Sequence, residues 1–203
     1  MSQWETVPPA TRPTRMVVAM AFPESAELEN LIRPVTDARG LDIEAVRTVK
    51  AGRKSQVVVA VAGDEAPTLD QLEEVSNELS ELFDAAEERG AVNFGAGYTL
   101  EVTTPGVDLP LTEPRHWRRN RGRLVAAGDK TYRIGALNDA EDTVALVVPA
   151  EKKSSEPTVE LAPISSVSGA VVEIEFNAPP EKELELAETR FSDVEALAAA
   201  ADE

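Results

Sequence analysis

Cysteine is absent from this 203-residue chain, and histidine occurs once, as His116. Without cysteine there is no disulfide, thiolate nucleophile or cysteine metal site, a composition that fits a reducing compartment. A single histidine between Arg115 and Trp117, with no second histidine and no serine motif around it, is a poor catalytic candidate. Long apolar runs are missing too. No stretch approaches the length of a membrane span, and the N-terminus lacks the basic-then-apolar pattern of a secretory signal, so the chain reads as cytoplasmic. No GxxxxGK[ST] nucleotide loop occurs. Gly95-Ala96-Gly97 resembles half of a dinucleotide loop but precedes a strand instead of opening a helix. Carboxylates are abundant, yet none has the spacing of a metal loop. The expectation is a protein with no catalytic residue, no metal site and no cofactor.

Positive charge is the scarcest polar resource: 20 Lys and Arg stand against 37 Asp and Glu, for a net charge of −17. That balance argues against a general nucleic-acid binder, because phosphate neutralisation supplies most of such affinity. It favours a basic protein as partner. The charge is also uneven. Between Thr112 and Arg133 seven basic residues (Arg115, Arg118, Arg119, Arg121, Arg123, Lys130, Arg133) face two acidic ones (Glu113, Asp129), a local charge of +5.

The length suits two domains of roughly 90 residues with tails. Residues 1–20, with Pro8-Pro9 and Pro13, read as a disordered N-terminal extension. Residues 21–105 read as an α/β domain. Ser25 is the expected N-cap of a first helix bearing Leu28, Leu31, Ile32 and Val35, interrupted by Pro34 and stopped at Gly40. Strands follow over Leu41–Val49 and Gln56–Ala62, joined by a hairpin turn at Ala51–Lys54. The second strand is apolar on both faces, which predicts a central or doubly covered position. Thr68 with Gln71 forms a capping-box pattern ahead of an amphipathic helix ending near Gly90. Tyr98, Leu100 and Val102 then alternate with Thr99, Glu101 and Thr103 in a third strand. Two helices on one face of a three-stranded sheet is the expected α+β arrangement.

Pro105-Gly106 ends that strand, and residues 106–113, with Pro110, form a stiff connector. Residues 114–176 read as one helical turn over Glu113–Asn120, anchored by Trp117, then five short strands and no further helix. Gly128-Asp129 and Asn138-Asp139 mark tight turns, and Lys152–Glu156 a hairpin tip. Five short strands in about 60 residues suggest a small SH3-like barrel. Residues 177–203, acidic and carrying two prolines, read as a disordered tail. The arginine segment has two readings. Its guanidinium groups suit a forked grip on phosphate, with Trp117 stacking on a base or lying beneath an arginine. Equally, charge runs are often solvated faces that balance acidic neighbours within the same protein.

Several stretches together resemble a known family. Gly40-Leu41 with the following strand, TLDQLEEVSNELSELFD from Thr68 to Asp84, YTLEVTTPGVDLPL from Tyr98 to Leu111 and PRHWRRNRGRLV from Pro114 to Val125 are similar to the bacterial ribosome maturation factor RimP family. The resemblance spans about residues 25–176, with YTLEV-x-x-PG-x-x-x-PL its most specific part. It implies an N-terminal α/β domain and a C-terminal SH3-like barrel in a non-catalytic factor. Such a factor binds the free small (30S) ribosomal subunit, assists its late maturation and contacts small-subunit ribosomal protein twelve.

The chain departs from the family pattern at Thr103 and Thr104, where serines are usual, and at Leu109, where an arginine is usual. It also carries Ser168-Gly169-Ala170 in place of a basic dipeptide region. On this reading Arg115, Arg118, Arg119, Arg121 and Arg123 face 16S rRNA, while Thr104, Pro105, Gly106 and Pro110 form the connector. The acidic barrel then meets the basic ribosomal protein, in a monomer with no membrane partner. A stand-alone RNA-binding or RNA-remodelling module is the alternative.

Overall fold

The computed structural model describes residues 22–51, 54–106, 109–150 and 155–201. The extension 1–20, the centre of the first hairpin turn and most of the 152–156 tip therefore lie outside the described residues. The chain divides into two units, one of residues up to 61 together with 67–103, the other of 62–66 together with 104 onward.

The first unit follows from its apolar periodicity. Helix α1 (Ser25–Asp37) is capped by Glu24, one residue before the expected Ser25, with the Glu24 N–H donating to Glu27 Oε2 at 3.1 Å. Pro34 lies inside this helix without ending it, and having no N–H it cannot make the intrahelical hydrogen bond to the Asn30 carbonyl that another residue would donate there. Strands β1 (Asp42–Ala51) and β2 (Lys54–Ala62) precede helix α2 (Leu69–Glu88). The capping box forms as expected, with Gln71 N–H donating to Thr68 Oγ1 and Thr68 N–H to Gln71 Oε1. Strand β3 (Tyr98–Thr103) runs parallel to β2 in a sheet of order β1-β2-β3.

Leu28, Ile32 and Val35 of α1 meet Val75, Leu79 and Phe83 of α2 over Val57, Val59 and Val61 of β2. Each such side chain, fully buried, contributes about 1.5–3 kcal/mol of transfer free energy. The two-face apolarity of β2 thus reflects its central place. Its second face is only half covered, Gln56 and Val58 being partly exposed.

The second unit contains one short helix, α3 (Pro114–Arg119), and strands β4 (Leu124–Ala127), β5 (Lys130–Leu137), β6 (Thr143–Val148), β7 (Thr158–Pro163) and β8 (Val171–Val172). They form an antiparallel sheet of order β7-β6-β5-β4-β8 that does not close in the described strands; the expected small barrel is an open five-stranded sheet. Gly128, at φ 63°, makes the two-residue turn between β4 and β5. Leu111, at the end of the connector, bridges Ala170 at the sheet margin.

One sheet face buries Tyr132, Ile134, Val144 and Leu146 with Trp117, Val125 and Val172. The register places Arg133 opposite Val147, and Ala145 opposite Leu161, on the other face. That face is covered as well, which corrects the expectation for residues 177–203. Instead of a disordered tail, the chain forms helices α4 (Glu181–Glu188) and α5 (Phe191–Ala201), which pack on β5, β6 and β7. Ala187 and Val194 are fully buried there, as are Ala145 and Val147 beneath them. A two-residue gap separates the helices, and Pro180 sets the entry to α4 in extended conformation.

Candidate functional site

Helix α3 begins at Pro114, whose missing N–H costs nothing in a first helical turn. His116 closes the turn behind it: its Nδ1 accepts from the Thr112 and Glu113 amides at 3.1 and 3.2 Å. The single histidine is thus a local cap. Trp117 is fully buried among Val125, Ile134 and Leu146, so its ring is packing and unavailable to stack on a base. With Trp117 as anchor, the flanking arginines are turned outward, but they do not form one patch.

Arg118 and Arg119 converge on a carboxylate 54 and 55 residues earlier in the chain. Asp64, in the 62–66 segment that belongs with the second unit, accepts from Arg119 Nε at 3.2 Å and from Arg118 Nη2 at 3.4 Å on a single oxygen. Arg118 Nη1 also donates to Glu141 Oε1 at 2.6 Å. The hydrogen bond from Arg119, then that from Arg118, holds the Asp64 carboxyl below its ordinary value. Glu141, and then Asp64, raise the Arg118 guanidinium. Asp64 remains 72% exposed, so these pairs stand in water, where such contacts contribute little to stability.

Arg121 points elsewhere. Its Nε donates to the Ala187 carbonyl at 2.7 Å and its Nη2 to the Thr189 carbonyl at 2.8 Å, closing the C-terminal end of α4. Arg123 turns back to Asn120 Oδ1 at 2.9 Å, and Arg115 lies 3.8 Å from Glu113. Arg133, counted with the basic run in the sequence, is 1% exposed. It is held by both oxygens of Glu175 at 2.8 and 2.9 Å, by Glu183 of α4 at 2.9 Å and by the Gly122 carbonyl. Burial pulls its pKa down, but the hydrogen bonds to Glu175 and Glu183 outweigh this and raise it. Glu175 is lowered in turn, chiefly by its hydrogen bonds with Arg133.

The positive run therefore separates into a pair held by acids, the exposed Arg118 and the mostly covered Arg119, and a structural pair, Arg121 and Arg133, that fastens the C-terminal helices. Sequence reasoning missed Asp64, Glu141, Glu175 and Glu183 because these partners are distant in the chain. Of the connector residues, Thr104 and Pro105 follow β3 without regular structure. Gly106 does not use the left-handed backbone region open to glycine, and Pro110 leads into the Leu111 bridge.

The site thus consists of guanidinium groups flanking a buried tryptophan and balanced by carboxylates on an acidic protein. Residues 31–108 match the RimP N-terminal domain model. A Corynebacterium aurimucosum protein named Ribosome maturation factor RimP is 51% identical over 179 residues, covering 85% of this chain and 94% of the relative. Proteins of the same name from Corynebacterium diphtheriae, 52% identical over 176 residues with the same two coverages, and Corynebacterium kroppenstedtii, 43% identical over 188 residues covering 85% and 98%, agree with it. The chain belongs to the RimP family of ribosome maturation factors, a family of assembly factors and not of enzymes.

Proposed function

We propose that this protein binds the small (30S) ribosomal subunit in the cytoplasm and assists its maturation as a monomer. In this reading the antiparallel-sheet unit, which we take as the chain's form of an SH3-like barrel, meets a basic ribosomal protein, small-subunit protein twelve. The α3 surface meets adjacent 16S rRNA. The observation that carries the proposal is the charge contrast: Arg118 and Arg119 are exposed and partly exposed cations on a chain of net charge −17. An acidic factor attracts a basic protein through its general field and touches RNA only where that field is locally reversed.

Arg118 and Arg119 are the proposed core of the RNA contact, with Arg115 and Arg123 beside them. Arg121 serves the surface mainly by holding α4, since its fork is already used. Joining the folded parts is the role we assign to the connector residues Thr104, Pro105, Gly106 and Pro110.

Co-sedimentation of the full chain with purified small subunits tests this. Arg118→Glu with Arg119→Glu should weaken binding and flatten its salt dependence. Unchanged binding and salt slope would remove the RNA assignment. Tight binding to naked RNA with a steep salt slope would favour the stand-alone RNA module instead.

A further inference from the structure

Two separate segments of the chain each bring a carboxylate to Arg118 and Arg119. Asp64 places one oxygen against both Arg118 and Arg119, and Glu141 takes the remaining edge of Arg118. Glu141 is held there by a purpose-built turn. It is the only non-glycine residue with positive φ, 54°, among the described residues, a conformation unfavourable for a side chain of its type. The turn is fixed from within. Asn138 Oδ1 accepts from the Asp142 and Thr143 amides at 3.0 and 3.1 Å, Asn138 Nδ2 donates to Asp142 Oδ1 at 2.7 Å, and the Glu141 amide donates to the Asn138 carbonyl at 3.0 Å. Strained backbone maintained by its surroundings marks a position where the side chain's direction matters.

Building on the proposed rRNA contact, we propose that Arg118 and Arg119 form a phosphodiester-binding site kept occupied by Asp64 and Glu141, which stand in for phosphate oxygens until RNA displaces them. Carboxylate and phosphate oxygens both accept from guanidinium N–H groups, and Asp64 and Glu141, each through a single oxygen, take donors that a phosphate would use. Asp64 is largely exposed and Glu141 about half, at 72% and 45% for their side chains, and such solvent-facing ion pairs contribute little to stability. The two acids also offset part of the charge of the two arginines. A stray RNA strand therefore meets a site whose positive charge is partly offset, whereas a phosphate positioned by the rest of a bound subunit can replace the carboxylates. Selectivity for an assembled surface over free RNA follows from this arrangement.

The test uses the full chain and two ligands, a single-stranded RNA oligonucleotide and purified small subunits, with inorganic phosphate as a competitor at constant ionic strength. Asp64→Asn with Glu141→Gln should raise oligonucleotide affinity by about tenfold. It should also steepen the dependence of log affinity on log salt by about 1.4, for two added phosphate contacts at about 0.7 each. Adding Arg118→Ala and Arg119→Ala should abolish the gain, and inorganic phosphate should compete poorly because it lacks a chain to position it. Unaltered oligonucleotide affinity in the first variant, or a gain that survives loss of both arginines, overturns the proposal. The two readings fail separately. If Arg118→Glu with Arg119→Glu leaves subunit binding intact while the neutralised acids still raise oligonucleotide affinity, the subunit contact is wrong and the guarded site stands. If the subunit is lost but the neutralised acids change nothing, only the guard is wrong.

Discussion

Replacing Arg133 by methionine keeps most of the side chain's volume and removes its charge. Glu183, 5% exposed beneath α4, is left without the cation that balances it, whereas Glu175, with 22% of its side chain exposed, can regain water. Breaking a buried ion pair by removing one partner typically costs about 3–5 kcal/mol, and the upper part of that range applies to the partner that cannot rehydrate. Because Glu183 belongs to α4, the cost falls first on the docking of the C-terminal helices and less on the core around Trp117. Hydrogen exchange resolved by segment is the appropriate assay, since a chain of two units need not unfold in one step. Amides of residues 181–201 should lose protection strongly in Arg133→Met, and those of residues 57–61 should not change. Pairing the substitution with Glu183→Leu should recover most of the loss, because the orphaned charge is then gone. Loss below about 1 kcal/mol in Arg133→Met, or equal loss in residues 57–61, would refute the assignment of Arg133 as the fastening of these helices.

The same network predicts acid lability. Arg133 lowers the Glu175 pKa in the folded chain, so the stabilisation is fully present above the ordinary carboxylate range and is lost as pH falls through the depressed value. Protection of residues 181–201 should decline over that interval in the wild type, and with less pH dependence from Glu175 in Arg133→Met. Gly135→Ala should destabilise the antiparallel sheet by about 1–3 kcal/mol, as a Cβ there would meet the Ala145 carbonyl oxygen at 2.8 Å, a backbone atom with no room to turn aside. Urea unfolding followed by exchange in β5 and β6 measures it. Neutralising Asp64 and Glu141 should raise oligonucleotide affinity, with the salt slope as the second readout.

Much of the first unit was legible in the sequence because its signals are local. The Thr68–Gln71 capping box, the stripe Leu69, Leu72, Val75, Leu79, Leu82, Phe83 and the apolar run of β2 each report on neighbours within one element, and each takes the predicted place except Leu69, which is exposed at the start of its helix. The C-terminal helices were missed for a physical reason. EKELELAE is acidic and offers few large apolar residues, so read alone it resembles a solvated tail. Yet TVALVV of β6 is apolar on both faces, as β2 is, and a strand of that kind needs a cover on each side. Acidic Glu181 and Glu183 in the first turn after Pro180 also fit a helix start.

The arginine run failed differently. Counting charge along the chain cannot separate Arg133, buried between two glutamates, from Arg118, exposed beside Asp64 and Glu141. Those partners lie 42 and 50 residues from the first and 54 and 23 from the second.

The most direct test of the account is co-sedimentation of the full chain with purified small ribosomal subunits at two salt concentrations, in parallel with naked 16S rRNA. The account predicts that the wild type binds subunits more tightly than naked rRNA and that Arg118→Glu with Arg119→Glu weakens subunit binding with a shallower salt dependence. Equal subunit binding by wild type and variant, or tighter binding to the naked rRNA, would contradict it.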